Sequence, residues 1–201
     1  MNLDLSEIEV LTYNLHNYGD FFYKFVIKNK PKIILELGSY MGYSGIHFAS
    51  GLKENNINNS QLILVDLWSN YSYKKCSRKE ILNNFKKNNF DKENNLTIFF
   101  IEDDAFSVID WIANDFVDLI HIDLSNDGEL LKNIINKCYI KLKKHGHILF
   151  EGGSEERDNV ELMKKYRKTP IRKFLKNKWF NHNFEWYIKE EFPSLTICKK
   201  I

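Results

Sequence analysis

Lys32-Ile33-Ile34-Leu35-Glu36-Leu37-Gly38-Ser39-Tyr40-Met41-Gly42-Tyr43-Ser44-Gly45 is the stretch from which the fold can be read. It opens as a continuous apolar run that takes in an acid, the pattern of a parallel strand covered by helices on both faces. It closes as a turn with glycines in GxxxGxxG spacing, which supply positive φ or let a ligand approach the backbone. The residues that follow, Ile46 to Leu52, read as a helix whose N-terminal amides point back at the turn. Strand, glycine turn and helix is the unit from which open α/β sheets build a nucleotide-type site.

The alternation continues on both sides. Residues 3–15 read as weakly helical, 14–20 as a turn, and 21–27 as a helix halted before Pro31. Strand one covers 32–38 and its helix 43–54. Leu62 to Trp68 is a second buried strand, followed by a loop through Tyr73 and a helix near 77–89. Leu96 to Ile101 is a third, leading through Glu102-Asp103-Asp104-Ala105 into a short helix over 105–114. Val117 to Asp123 is the fourth, with a helix over 127–143 whose Leu130, Leu131, Ile134, Ile135, Cys138 and Leu142 recur at helical spacing. His147 to Glu151 is the fifth, and Ser154 is placed to cap a helix opening on Glu155-Glu156. Residues 166–183 read as an irregular basic and aromatic segment. Phe184–Lys189 and Ser194–Lys199 read as two strands whose turn through Pro193 is too short for a crossover helix, so they pair antiparallel. The pattern is five β/α units closed by a hairpin.

At 201 residues the chain is read as one domain: a helical cover over 1–31, a core over 32–160 and a terminal segment with the hairpin over 161–201. With 43% hydrophobic and 14% aromatic residues it is not a disordered chain. The net charge of +2 argues against nucleic acid as the main partner. No apolar stretch approaches the ~18 residues of a membrane span, and the N-terminus lacks a signal-peptide core. Cys76, Cys138 and Cys198 are widely spaced, without CxxC or histidine pairing, as expected of a reduced cytoplasmic protein without structural zinc.

In a doubly wound sheet the ligand sits at the carboxyl ends of the strands. There the sequence places Glu36, Asp66, Asp104, Asp123 and Glu151. Any one such acid, taken alone, is usually solvated or capping. Together with the glycine turn they read as a nucleoside site: an acid after strand two suits the ribose hydroxyls, and one after strand three suits an adenine amino group. A dinucleotide fold needs GxGxxG. Here the glycines stand in GxxxGxxG spacing instead, and no GxxxxGK[ST] is present.

ELGSYMGYSG, with LVDLW, EDDA, HID and the terminal hairpin, resembles the class I S-adenosylmethionine-dependent methyltransferases, and more narrowly their small O-methyltransferase branch. The resemblance covers about residues 30–200. It implies a Rossmann-like doubly wound seven-stranded sheet of order 3-2-1-4-5-7-6, with the last strand antiparallel. It also implies S-adenosyl-L-methionine as cofactor, its methionine part held by Glu36, Gly38, Ser39, Tyr40, Gly42 and Ser44. Asp66 would hold the ribose, Leu67 and Trp68 would flank the adenine, and Asp104 with Ala105 would meet its edge. Asp123 would lie near the cofactor amino group or the reacting centre.

In that branch carboxylates after strands four and five hold Mg²⁺, which lowers the pKa of the acceptor hydroxyl. This chain departs from the pattern, with Leu124-Ser125-Asn126-Asp127-Gly128 after Asp123 and Glu151-Gly152-Gly153 after strand five. Asp123, Asp127 and Glu151 remain the candidate Mg²⁺ ligands; without metal, a general base or proximity must suffice. The catalytic candidates are Asp123, His121 and Glu151, although a histidine inside a parallel strand is more often a hydrogen-bonded core residue. His16 and Tyr18 in the preamble are substrate candidates, as are Gly153 in a backbone nest, Arg157 one turn on, and Trp179 in the basic segment. The reading is methyl transfer to a hydroxyl of a small sugar-like or phosphorylated metabolite, with no membrane partner and a homodimer left open. An NAD-dependent or nucleotide-sugar oxidoreductase and a non-catalytic nucleoside-binding module are the alternatives.

Overall fold

The computed structural model describes residues 3–72 and 76–201. The loop expected through Tyr73 thus runs into residues outside those described. The chain divides into two compact units, Met1–Ala105 and Phe106–Ile201.

In the first unit, β1 (Ile33–Leu37), β2 (Ser60–Asp66) and β3 (Leu96–Glu102) pair in parallel, with Leu37 level with Val65 and Asp66 level with Glu102. Every residue of β1 is buried, as a strand covered on both faces requires, and β3 alternates as an edge strand does. The helices are α1 (Thr12–Leu15), α2 (Tyr18–Asn29), α3 (Tyr43–Asn55) and α4 (Arg78–Lys87), the last opened by a capping box between Ser77 and Glu80. Helix α2 lies on α3, where Phe22 meets Phe48 at 5.1 Å between ring centroids. Gly51 admits Val26 there: a β-carbon on Gly51 would stand 2.6 Å from that of Val26.

Helix α5 (Ala105–Trp111) leads from the first unit into the second. There β4 (Val117–Ile122) pairs in parallel with β5 (Leu142–Glu151), and β7 (Leu195–Lys200) pairs antiparallel with both β5 and β6 (Phe184–Lys189). Helix α6 (Gly128–Lys141) carries the expected apolar face through Leu131, Ile134, Ile135 and Cys138. The strands run in the order β3-β2-β1-β4-β5-β7-β6, as the resemblance implied. No helix among the described residues is long and apolar enough to cross a membrane.

Several boundaries differ from the sequence reading, each for a local reason. The helical signal of 3–15 survives only at α1, because Asp4 accepts from the Ser6 backbone N–H at 3.1 Å and from its hydroxyl at 2.6 Å. Such local bonds compete with helix formation. The second strand stops at Asp66, whose carboxylate turns back to accept the Trp68 N–H at 2.9 Å, and residues 68–70 form a 3₁₀ turn. The fifth strand begins at Leu142 rather than His147, with a register shift opposite Val117 and Leu119. Residues 161–183 are three short helices, α8 (Glu161–Lys165), α9 (Ile171–Leu175) and α10 (Lys178–Asn183), rather than irregular chain. The Asp158 carboxylate holds the start of α9 by accepting the Ile171 and Arg172 N–H groups at 2.8 and 3.0 Å, and Asn177 caps α10.

One buried histidine makes the α2–α3 contact sensitive to pH. His47 is 8% exposed, its ring lies against Gly19, and neither ring nitrogen has a hydrogen-bond partner among the described residues. Burial holds its pKa down at about 4, opposed by the nearby Asp20. Because the native pKa lies below the ordinary 6.5, His47 costs nothing above pH 6.5, and stability is lost as the pH falls from there towards 4. His47→Leu is expected to flatten urea-unfolding stability against pH across that window by about 1.4 kcal/mol per pH unit, one proton's worth. An unchanged slope would contradict the buried neutral histidine.

Candidate functional site

The glycine turn is built by its own backbone. Gly38 and Gly42 both have φ of 88°, and the Gly42 N–H closes the turn on the Ser39 carbonyl at 2.7 Å. A side chain at Gly42 would also meet Phe85 at 2.8 Å, so glycine is required on both counts. Gly42 is the N-cap of α3 and has no side chain, so the first-turn amides of that helix receive no side-chain cap. Glu36, wholly buried at the end of β1, accepts a short hydrogen bond from the Ser44 hydroxyl in that first turn. Ser39 is 4% exposed, and its hydroxyl oxygen has no partner among the described residues.

Asp66 ties this turn to the next. One carboxylate oxygen accepts the Tyr40 N–H at 2.8 Å and the other the Trp68 N–H at 2.9 Å, while the Trp68 indole donates to the Tyr40 carbonyl at 2.9 Å. Tyr40 and Trp68 both sit at positive φ, 43° and 36°, which non-glycine residues adopt only when held there. The Asp103 N–H donates to the Asp66 carbonyl at 3.1 Å, and Asp103 in turn accepts the Asp104 N–H at 2.7 Å. Asp104 is exposed and Ala105 buried, so the ends of β1, β2 and β3 meet through one chain of hydrogen bonds. Trp68 itself is 1% exposed and its indole nitrogen is spent on Tyr40, whereas Leu67 is half-buried and presents more surface.

Two features here carried no sequence signal. The Tyr40 hydroxyl donates to Glu9 at 2.6 Å, the Glu9 N–H to the Met41 sulfur at 3.4 Å, and Lys87 pairs with Glu7 at 3.0 Å, so the N-terminal segment straps the turn. Burial, and next the bond to Glu9, raise the Tyr40 phenol well above its usual pKa. Asn84 on α4 donates to the Met41 carbonyl at 3.0 Å. Of the preamble candidates, His16 is exposed, whereas Tyr18 is 2% exposed and packs on Tyr13 and Phe22.

In the second unit the strand-end residues form another cluster. His121 is wholly enclosed in β4, level with Leu149, and Asp123 stands half-buried just past the strand end. Glu151, at the end of β5, accepts from the Asn126 amide at 2.8 Å and from Arg157 Nε and Nη2, both at 2.7 Å. Ser154 caps α7 (Glu155–Asp158), accepting the Arg157 N–H at 3.1 Å, and so fixes the residue that meets Glu151. The Gly152-Gly153-Ser154 nest is largely spent: the Gly152 N–H donates to the Ser194 carbonyl and the Ser154 N–H to its hydroxyl. Trp179 packs on Tyr139 and Phe184, and Phe184 is level with Lys200, so Trp179 lies at the opposite end of the β5–β7–β6 ladder from Glu151.

The candidate metal ligands do not fit a hard cation. Asp127 serves as the N-cap of α6, one oxygen accepting the Glu129 and Leu130 N–H groups and the other the Thr169 N–H. Glu151 is paired with a guanidinium. Among the described residues, no three or more His, Cys, Asp or Glu side chains are grouped to hold a metal ion.

Solved structures share this fold at low identity. An O-methyltransferase of Bacillus cereus in complex with S-adenosylhomocysteine is 16% identical, with a TM-score of 0.65 over 92% of this chain and 81% of its own. A methyltransferase of Podospora anserina bound to S-adenosylhomocysteine is 18% identical, with a TM-score of 0.67 over 98% and 82%. The O-methyltransferase TomG of Streptomyces achromogenes, in complex with S-adenosylmethionine, is 10% identical, with a TM-score of 0.65 over 98% and 83%. The fold is thus that of the Rossmann-like methyltransferases. No curated protein sequence matches the chain. Residues 35–151, more than half of the length, match the model of a methyltransferase domain, and the chain belongs to that family.

The hydrogen bonds to Asp66 are expected to show in the protein alone. Asp66→Ala, which strands two loop amides at positive φ, is expected to lower unfolding stability in urea by about 1–3 kcal/mol. Asp66→Asn, keeping one acceptor, is expected to lose less. Equal stability for all three proteins would show that Asp66 does not hold these loops.

Proposed function

We propose that the chain transfers a methyl group from S-adenosylmethionine to a hydroxyl of a small sugar-like or phosphorylated metabolite. The observation that carries the cofactor assignment is the buried Ser39 hydroxyl, which has no partner among the described residues and sits in the glycine turn before an uncapped helix start. A buried polar atom without a partner is costly unless a ligand completes it. An uncapped helix N-terminus offers amides to an anionic group. Together they suit the carboxylate and ammonium end of a methionine moiety better than a pyrophosphate, which GxGxxG would cradle.

The bound cofactor supplies an electrophilic methyl group on sulfur. The protein's part is to hold and orient. Ser39 and the α3 amides take the amino-acid end, with Glu36 fixing α3 through Ser44. Asp66, already fixed by Tyr40 and Trp68, keeps lone pairs for the ribose hydroxyls, since each oxygen accepts one protein donor. Leu67 is the side chain left to contact the base, with Asp104 and Ala105 at its edge. Asp123, the carboxylate at the end of β4, and Glu151 with Arg157, the charged pair at the end of β5, are the groups assigned to the acceptor hydroxyl. Supporting an O-methyl reading, two of the structurally similar proteins above are described as O-methyltransferases.

Ser39→Ala tests the cofactor assignment with little disturbance, because the hydroxyl makes no hydrogen bond to any described residue. Calorimetry is expected to show S-adenosylhomocysteine binding to the wild type, and binding weaker by about 0.5–1.5 kcal/mol in Ser39→Ala at unchanged melting temperature. No binding at high micromolar concentration, or preferential binding of NAD, would overturn the proposal.

A further inference from the structure

The charge at the end of β5 is already balanced from within the chain. Three N–H donors converge on a single oxygen of Glu151: the Asn126 amide at 2.8 Å, Arg157 Nε at 2.7 Å and Arg157 Nη2 at 2.7 Å. A carboxylate oxygen has two lone-pair directions, so this one is saturated. Both side chains are withdrawn from water, Arg157 at 10% and Glu151 at 6% exposure, where a charge pair is screened least. The guanidinium is not a loose surface group. Its backbone is fixed by the Ser154 cap of α7, and its stem passes beside Gly152.

A second cation belongs to the same cluster. Lys168 donates to the Ser125 hydroxyl at 3.0 Å. Burial first, and then the charge of Arg157, push its ammonium towards the neutral form, while Asp127 and Glu151 oppose that shift. Arg157, Lys168, Glu151 and Asp127 are therefore close enough to sense one another. Mg²⁺ demands near-octahedral oxygen ligands at about 2.0–2.1 Å. It would have to share Glu151 with the guanidinium held on one of its oxygens, and compete with backbone donors at both oxygens of Asp127.

We propose that Arg157 is the resident cation of the acceptor site: its guanidinium takes the role that a divalent metal would otherwise fill, and its presence keeps the metal out. Guanidinium holds its charge at every working pH and cannot accept a proton. It therefore orients and stabilises an acceptor oxygen electrostatically but does not serve as the base. Its Nη1 has no hydrogen bond to any described residue and is the donor left for that oxygen. The catalytic consequence rests on the methyl-transfer reading; the exclusion of metal does not.

Titration of free Mn²⁺, followed by its paramagnetic resonance signal, tests the exclusion without turnover. The wild type and Arg157→Lys are expected to take up no Mn²⁺. Arg157→Met, which leaves Glu151 buried without its guanidinium, is expected to bind Mn²⁺ at least about tenfold tighter than the wild type and to gain melting temperature when Mg²⁺ is added. Arg157→Met combined with Glu151→Gln is expected to lose both gains. Stoichiometric uptake by the wild type overturns the proposal, as does a folded Arg157→Met that binds no better. If Arg157→Met does not fold, Arg157→Gln is read in its place, and uptake by the wild type still decides against the proposal. Binding of S-adenosylhomocysteine, measured separately, shows whether the methyl-transfer reading has failed instead.

Discussion

The Asp66 carboxylate is the constraint on which the first unit's working end depends. It stands at the end of β2 and accepts backbone donors from two different loops, at Tyr40 and at Trp68. Both residues have left-handed backbone conformations, which cost about 1–2 kcal/mol for an ordinary side chain. A charge-assisted hydrogen bond to each recovers a similar amount. The Trp68 indole then closes the loop by donating to the Tyr40 carbonyl. A large aromatic placed there for packing also fastens the backbone that shapes the turn. Without a side chain on Gly42, the turn lies flat against Phe85 and Ile81 of α4. The N-terminal segment crosses it through Glu9. A preformed turn spends little ordering entropy on its ligand.

Much of this was legible in the sequence. A strand buried on both faces must be almost wholly apolar, and Ile33–Leu35 and Leu62–Val65 show it directly. The hairpin followed from the shortness of its turn, and the antiparallel β6–β7 ladder bears that out. Boundaries were less legible because side chains outside the periodic pattern set them. Asp66 ended its strand early, Asp4 kept the N-terminal segment from winding into a helix, and Asp158 nucleated α9 from thirteen positions away. The strap through Glu9 and the Asn84 contact left no local mark, since Tyr40 and Met41, which they hold, lie 31 and 43 positions away.

The site was legible in its residue types but not in its pairings. The acids at strand ends were visible, yet whether a carboxylate awaits a ligand or is already paired depends on what the fold brings beside it. Glu36 is bound by a serine in the first turn of α3. Glu151 is bound by an arginine that the sequence offers only as a substrate contact, and Asp127, a candidate metal ligand, is a helix cap. The same chemistry thus serves three different ends. Burial and donor count, rather than residue identity, separate them.

The assignment of the turn after β1, held by Asp66, to the cofactor is the proposal on which the function rests. It is tested most directly by following backbone amide resonances while S-adenosylhomocysteine is added to the isotope-labelled protein. The largest saturable shifts are expected on Gly38, Ser39, Tyr40, Leu67, Trp68 and Asp104. Shifts confined to other residues, or a spectrum unchanged at saturating ligand, would contradict it.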